Sequence, residues 1–329
     1  MKIKTITVVI PTYNEEDNIP EIYQRINTVF EPYKRKYHLE IMFIDNFSTD
    51  SSRKIIIELS QKDSQVKAIF NSRNFGFTRS TFYGLTQATG DCAILIFADM
   101  QDPPEVIPKF IELWEQGNKV VVGIKTRSHE NPFVYFMRSC YYRMIKKISE
   151  IDHINQFDGF GLYDRAFIDV LRNLDDSLPY LRGIIAELGF RRADVYYTQE
   201  KRQHGHTNFN FFKLYDLAML GITSYSKIVM RIATLLGFSV AVISVCIASF
   251  TFIYKLFNWN SYPVGNAAIS IGVFFLGAVQ LFFIGLLGEY ILNINTRVLH
   301  RPLVIEECRI NFENNLQDIK EDDNSHVTK

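Results

Sequence analysis

Cys92-Ala93-Ile94-Leu95-Ile96-Phe97-Ala98-Asp99-Met100-Gln101-Asp102-Pro103-Pro104-Glu105 runs an apolar segment straight into a set of oxygen-bearing side chains. The apolar half predicts a strand over 92–97, and the polar half sets a carboxylate, an amide and a second carboxylate where a loop begins. Hard divalent cations such as Mg²⁺ or Mn²⁺ favour that ligand set, and a bound cation can in turn hold a diphosphate. Open α/β sheets also bind ligands at the C-terminal ends of their strands. Asp102 stands before Pro103 and has two open readings: a helix cap followed by proline, opening a helix over 105–116, or a ligand. Asp99 and Gln101 have no capping role to fill and are the stronger metal-ligand candidates.

Upstream and downstream of this segment, strands and helices alternate. The pattern predicts strands over 6–10, 40–45, 66–70 and 119–124, and helices over 17–33, 49–61 and 78–88. Such alternation implies an α/β fold with a mostly parallel sheet flanked by helices on both faces. Each strand is followed by polar residues: Pro11-Thr12-Tyr13-Asn14-Glu15, Asp45-Asn46-Phe47-Ser48-Thr49-Asp50 and Asn71-Ser72-Arg73-Asn74. In a parallel sheet these ends share one edge and can form one cleft. Aspartates there suit base or ribose recognition, and Arg73 suits a phosphate. Asn14, Ser48 and Asp50 have the plainer alternative of capping the next helix.

Beyond 124 the pattern predicts a partly basic helix over 132–151, a polar glycine-containing stretch over 155–162 and a helix over 164–174. Two charge-free spans follow, 232–254 and 264–288, each long enough to cross a hydrocarbon core. The short loop between them holds Trp259 and Tyr262, which suit a membrane interface, while Lys227, Arg231, Arg297 and Arg301 flank the outer ends. The positive-inside rule then puts both termini and the large domain in the cytoplasm. The expected organisation is a catalytic domain over 1–208, an amphipathic segment over 209–230, a two-helix transmembrane hairpin within 231–292, and a tail over 293–329. The aromatic stripe of 209–230 fits either a lipid interface or the sheet domain, and the tail after Glu306 reads as polar and disordered.

Thirty-six basic and 36 acidic side chains balance, which gives no argument for nucleic acid. Four widely spaced cysteines read as reduced thiols, the start of the chain runs directly into a strand without room for a signal peptide, and no histidine pair has metal-ligand spacing. A phosphate-binding glycine loop with lysine is absent, as are a dinucleotide fingerprint and a serine-hydrolase elbow.

The segments VVIPTYNEEDNI, FIDNFSTDSS, NSRNFGF and ADMQDPPE, with Gly159-Phe160-Gly161-Leu162, Asp164-Arg165, Leu181-Arg182-Gly183, Arg202 and Gly288-Glu289-Tyr290, resemble family 2 glycosyltransferases of the GT-A fold. The branch they are similar to acts on polyprenyl phosphates and includes dolichol-phosphate mannose synthases and bactoprenol glucosyltransferases. The resemblance implies an inverting hexosyltransferase with a nucleotide-diphosphate sugar donor of UDP or GDP type, a polyprenyl phosphate acceptor, a bilayer, and Mg²⁺ or Mn²⁺. It implies that Pro11, Tyr13, Glu15 and Asp45 contact the nucleotide, that Asp99 and Gln101 hold the metal, and that Arg127 and Arg202 meet phosphates. Asp102, Asp158 and Glu187 stay open as bases. The chain departs from the pattern at Phe97 and Asn46, where aspartate is frequent, at Lys125, where arginine is common, and at Asn208, where a basic residue is common. Extension of a lipid-linked saccharide and a silent nucleotide-binding scaffold stay open as alternative functions, and a homo-oligomer is left open.

Overall fold

A computed structural model describes residues 3–127, 154, 156–174, 176–200, 219, 234–235, 237–239, 242–243, 246, 253, 257, 266–299 and 301–312. The elements in chain order are β1 (Lys4–Thr12), α1 (Ile19–Phe30), β2 (Tyr37–Asp45), α2 (Ser52–Lys62), β3 (Val66–Asn71), α3 (Phe77–Gln87) and β4 (Cys92–Leu95). They continue with α4 (Ile107–Glu115), β5 (Val120–Arg127), β6 (Gly161–Asp164), α5 (Arg165–Asn173), α6 (Leu181–Leu188), β7 (Arg192–Thr198), α7 (Asn266–Val298) and β8 (Glu306–Ile310).

The strands form one sheet in the order β7-β5-β6-β4-β1-β2-β3-β8. β1 to β4, β5 and β7 run one way, while β6 and β8 run against them. Successive strand residues point to opposite faces. Ile6, Val8 and Ile10 of β1 therefore join Ile22, Ile26, Phe110 and Trp114 on the face of α1, α2 and α4. Val9, Met42 and Ile44 join Phe82, Leu85, Phe167 and Ile184 on the face of α3, α5 and α6. Helices thus cover both faces, as the α/β reading expects.

The chain passes from β1 outward through β2 to β3, then returns to lay β4 on the other side of β1. That reversal opens a crevice at the C-terminal ends of β1 and β4, the usual ligand position in such sheets. β6 is antiparallel, so its first residue lies at the same edge, Gly161 opposite both Leu95 and Val122. Only glycine fits there, because a Cβ on Gly161 would lie 2.4 Å from the Val121 carbonyl oxygen.

Four expectations need correction or completion. The sheet is mixed, because β6 and the edge strand β8 oppose the rest. β8 occupies residues read as an unstructured tail; Arg309 anchors it by donating to Gln87 Oε1 at 2.8 Å and to the Tyr83 hydroxyl at 3.2 Å. The helix expected over 264–288 runs on to Val298, and its Val279–Thr296 stretch is long and apolar enough to cross a membrane. A two-helix hairpin is not what the described residues contain: most of 232–254 lies outside them, as do 132–151, nearly all of 209–230 and the tail from 313. The sheet and α7 belong to separate compact units.

Candidate active site

Two polar networks line the C-terminal edge of the sheet. The first stitches together the loops after β1, β2 and β3. Asp45 ends β2 fully buried and accepts the Ser48 N–H at 3.2 Å. Burial pushes its carboxyl above the ordinary aspartate value, and the Ser48 bonds and the Arg53 charge counter this only in part. Ser48 Oγ accepts the Asn14 N–H at 2.9 Å, and Asn14 Oδ1 accepts the Thr49 N–H at 2.8 Å. Asp50 accepts the Ser52 N–H at 3.0 Å in the first turn of α2, so it does serve the helix start. Asn14 and Ser48 instead bind loop to loop. Asn46 reaches toward β3: its Oδ1 accepts from Asn71 Nδ2 at 3.1 Å and from the Phe75 N–H at 3.0 Å.

Among the residues expected to meet a nucleotide, Pro11 and Tyr13 are partly exposed at the end of β1. Glu15 is 9% exposed and its carboxylate accepts from Asn18 Nδ2. Arg73 is exposed and stacks its guanidinium 4.1 Å from the Phe75 ring centroid.

The second network gathers the ends of β4, β5, β6 and β7. Asp99 and Gln101 are partly exposed, while Met100 between them is fully buried and takes φ 60. The Gln101 N–H donates to Asp99 Oδ1 at 3.3 Å, and the Gln101 carbonyl accepts the Glu200 N–H at 2.9 Å. Asp102 is 1% exposed and accepts a short hydrogen bond from the Tyr197 hydroxyl. Lys125 lies 3.9 Å from Asp102 Oδ1 and pairs more closely with Asp158. The capping alternative for Asp102 fails, since Pro103 occupies the cap position of the turn Pro104–Val106 and no side chain caps it.

The electrostatics follow from three carboxylates sharing one ammonium. Burial, with the Asp158 charge added, raises Asp102 well above the ordinary carboxylate range despite Lys125 and Tyr197. Burial pulls Lys125 down, but Asp158, Asp102 and Asp99 together hold it above its usual value, so it stays a cation. Burial and the same carboxylates raise the Tyr197 phenol. Asp158 Oδ1 is buried without a hydrogen-bond partner.

The family described as "Glycosyl transferase family 2" matches residues 7–172. The chain belongs to that family. An uncharacterized glycosyltransferase of Synechocystis sp. is 32% identical over 91% of this chain and 94% of its own length. The bactoprenol glucosyl transferase of Shigella phage SfV is 35% identical over 91% of this chain and 97% of its own. Glucosyl-3-phosphoglycerate synthase from Mycobacterium tuberculosis, solved with Mn²⁺ and uridine diphosphate, has a TM-score of 0.46 at 17% identity over 67% of this chain and 78% of that one.

In this family 2 chain, the candidate residues fall into two groups along the edge. Pro11 and Asp45 lie at the ends of β1 and β2, with Tyr13, Glu15 and Arg73 in the loops after β1 and β3; Asp99, Gln101 and Asp102 lie in the loop after β4. Arg127 is the last residue of β5, while Arg202 and Asn208 lie outside the described residues. Glu187 is exposed on α6. Sequence reading missed Tyr197. Its only signal was the alternating segment Arg192–Thr198, whose register sets Tyr197 opposite Lys125. Phe97, standing where aspartate is frequent, packs on Phe77 with ring centroids 5.2 Å apart.

Proposed function

We propose that this glycosyltransferase moves one hexose-type sugar, with inversion, from a nucleotide-diphosphate sugar of UDP or GDP type to a polyprenyl phosphate at the cytoplasmic face of a membrane. The observation that carries the reading is the position of Asp99 and Gln101, partly exposed in the loop after β4, with the Asp99 charge acting on Lys125. The phage relative named for bactoprenol supports the acceptor class. The charge-free stretches, including the one in α7, support a membrane location, with spans over 232–254 and 264–288 as the proposed hairpin and both termini cytoplasmic.

The oxygens on offer suit a hard cation, with Asp99 and Gln101 as its holders. Mg²⁺ or Mn²⁺ bound there supplies positive charge for the departing diphosphate. The chain's own residues supply the rest. Asp45, at the floor of the β2 end, and Pro11, Tyr13 and Glu15 beside it hold the nucleoside. Arg73, Arg127 and Arg202 are the proposed phosphate-binding cations. Asp102 acts from behind, fixing Lys125 and Tyr197 without reaching solvent. A lipid phosphate is already anionic near neutral pH, so its oxygen can attack the anomeric carbon without a strong base, and alignment becomes the main task.

The test is a panel of nucleotide sugars incubated with membranes containing the protein and a polyprenyl phosphate. The expected result is divalent-dependent turnover, lost in Asp99→Ala, yielding a polyprenyl monophosphate bearing one sugar by mass spectrometry. Full turnover in Asp99→Ala, or an elongated diphosphate-linked saccharide as product, refutes the reading.

A further inference from the structure

The loop after β2 presents Phe47 with φ 67 and 41% of its surface exposed. A bulky side chain in the left-handed region is a backbone outlier that glycine or asparagine would relieve. It persists here because both neighbours are fixed. Asn46 donates its N–H to the Thr12 carbonyl at 2.9 Å and its Nδ2 to Asn74 Oδ1 at 3.0 Å, besides accepting from Asn71 and Phe75. Ser48 donates to the Asp45 carboxylate and accepts from the Asn14 N–H. With both flanks held, the ring cannot turn into the core. Among the described residues it has no aromatic partner. Strain of this kind, kept by its surroundings, tends to gather at ligand sites.

We propose that Phe47 is the stacking platform for the base of the donor nucleoside diphosphate. The inference rests on the nucleotide-donor reading above. Phe47 follows Asp45, the last residue of β2, by two residues, so a base recognised at the end of β2 comes within reach of the ring. Every nucleobase has a π-face, so this contact sets affinity and leaves the choice of base to polar groups nearby.

Isothermal titration of the whole chain in detergent tests it, with UDP, GDP and inorganic pyrophosphate as probes. Phe47→Gly should weaken the nucleoside diphosphate that the wild type binds by about 5- to 150-fold, the range of one lost base–aromatic stack. Pyrophosphate affinity should not change, melting temperature should hold or rise as the strain is released, and Phe47→Tyr should restore affinity. Unchanged nucleoside diphosphate binding in Phe47→Gly, or an equal loss for pyrophosphate, overturns the proposal while the donor reading stands. A wild type that binds neither UDP nor GDP overturns the donor reading and this inference with it.

Discussion

Tyr197→Phe isolates the buried half of the candidate-site network. The phenol donates to Asp102, and both residues are shielded, at 5% and 1% exposure. Phenylalanine keeps the ring where it packs edge-on to Phe160, with centroids 5.3 Å apart, so the change removes a hydroxyl and leaves no cavity of consequence. What is lost is one hydrogen bond to a carboxyl that Lys125 approaches only to 3.9 Å. Stranding a buried acceptor in that way costs about 1–3 kcal/mol. For a domain of this size that is a drop of roughly 2–12 °C in melting temperature. Thermal melts of the detergent-solubilised chain, run beside Asp102→Asn and the double variant, separate the pair from its surroundings. The coupling between the two changes should be at least about 0.5 kcal/mol, as for residues in one network. Additive losses would refute the view that Asp102 is held by Tyr197 and works as a buried support.

Phe97→Asp, restoring the carboxylate frequent at that place, should lose the stack on Phe77 and destabilise by about 3–5 kcal/mol, the usual cost of deleting a buried phenylalanine. It should also tighten Mn²⁺ binding about tenfold, read by spin resonance of free Mn²⁺, because charge count sets cation affinity. Glu40 accepts from Lys67 Nζ at 2.8 Å and from Thr89 Oγ1 at 2.7 Å; burial raises its carboxyl, but these partners outweigh it and the net shift is downward. A lowered folded-state pKa contributes stability above the unfolded carboxylate value and loses it as pH falls through the folded one. Glu40→Gln should therefore cost about 1–3 kcal/mol at pH 7 in urea unfolding, with the gap closing below about pH 4.

Particular strands show what the sequence makes legible. β1 to β4 stood out because their apolar runs are bounded by polar turns and separated by helical periods, and the observed elements lie within a few residues of the expected ones. β6 escaped notice because it is four residues long, begins with glycine and is buried on both faces, so it shows no alternation. β8, Glu-Glu-Cys-Arg-Ile, looks like a charged tail and becomes a strand only through its pairing with β3. The same limit applies to the site. Asp99, Gln101 and Asp102 fall within the single tetrapeptide Asp99-Met100-Gln101-Asp102 and are readable together. Lys125, Asp158 and Tyr197 lie on separate segments, and only the antiparallel insertion of β6 and the register of β5 with β7 bring them to Asp102.

Polar motif residues also divide into those that hold loops and those left open to a ligand, a division fixed by partners and burial. Asn46 shows how sharply. Aspartate is frequent at this place, yet here the side chain must both give and receive: Nδ2 donates to Asn74 Oδ1, while Oδ1 accepts from Asn71 and from the Phe75 N–H. An ionised aspartate only accepts. In Asn46→Asp, one carboxylate oxygen would face Asn74 Oδ1 in a site only 6% exposed. Turning the Asn74 amide over does not relieve this, because its Oδ1 also accepts the Gly76 N–H at 2.9 Å and the turned amide would point a donor at that donor. The substitution should cost about 1–3 kcal/mol and loosen the Arg73–Phe75 loop. Hydrogen exchange at the Phe75 and Gly76 amides reads that loosening directly. Unchanged protection and stability would mean that the asparagine is there for a ligand, and that the loop-holding role assigned to it is wrong.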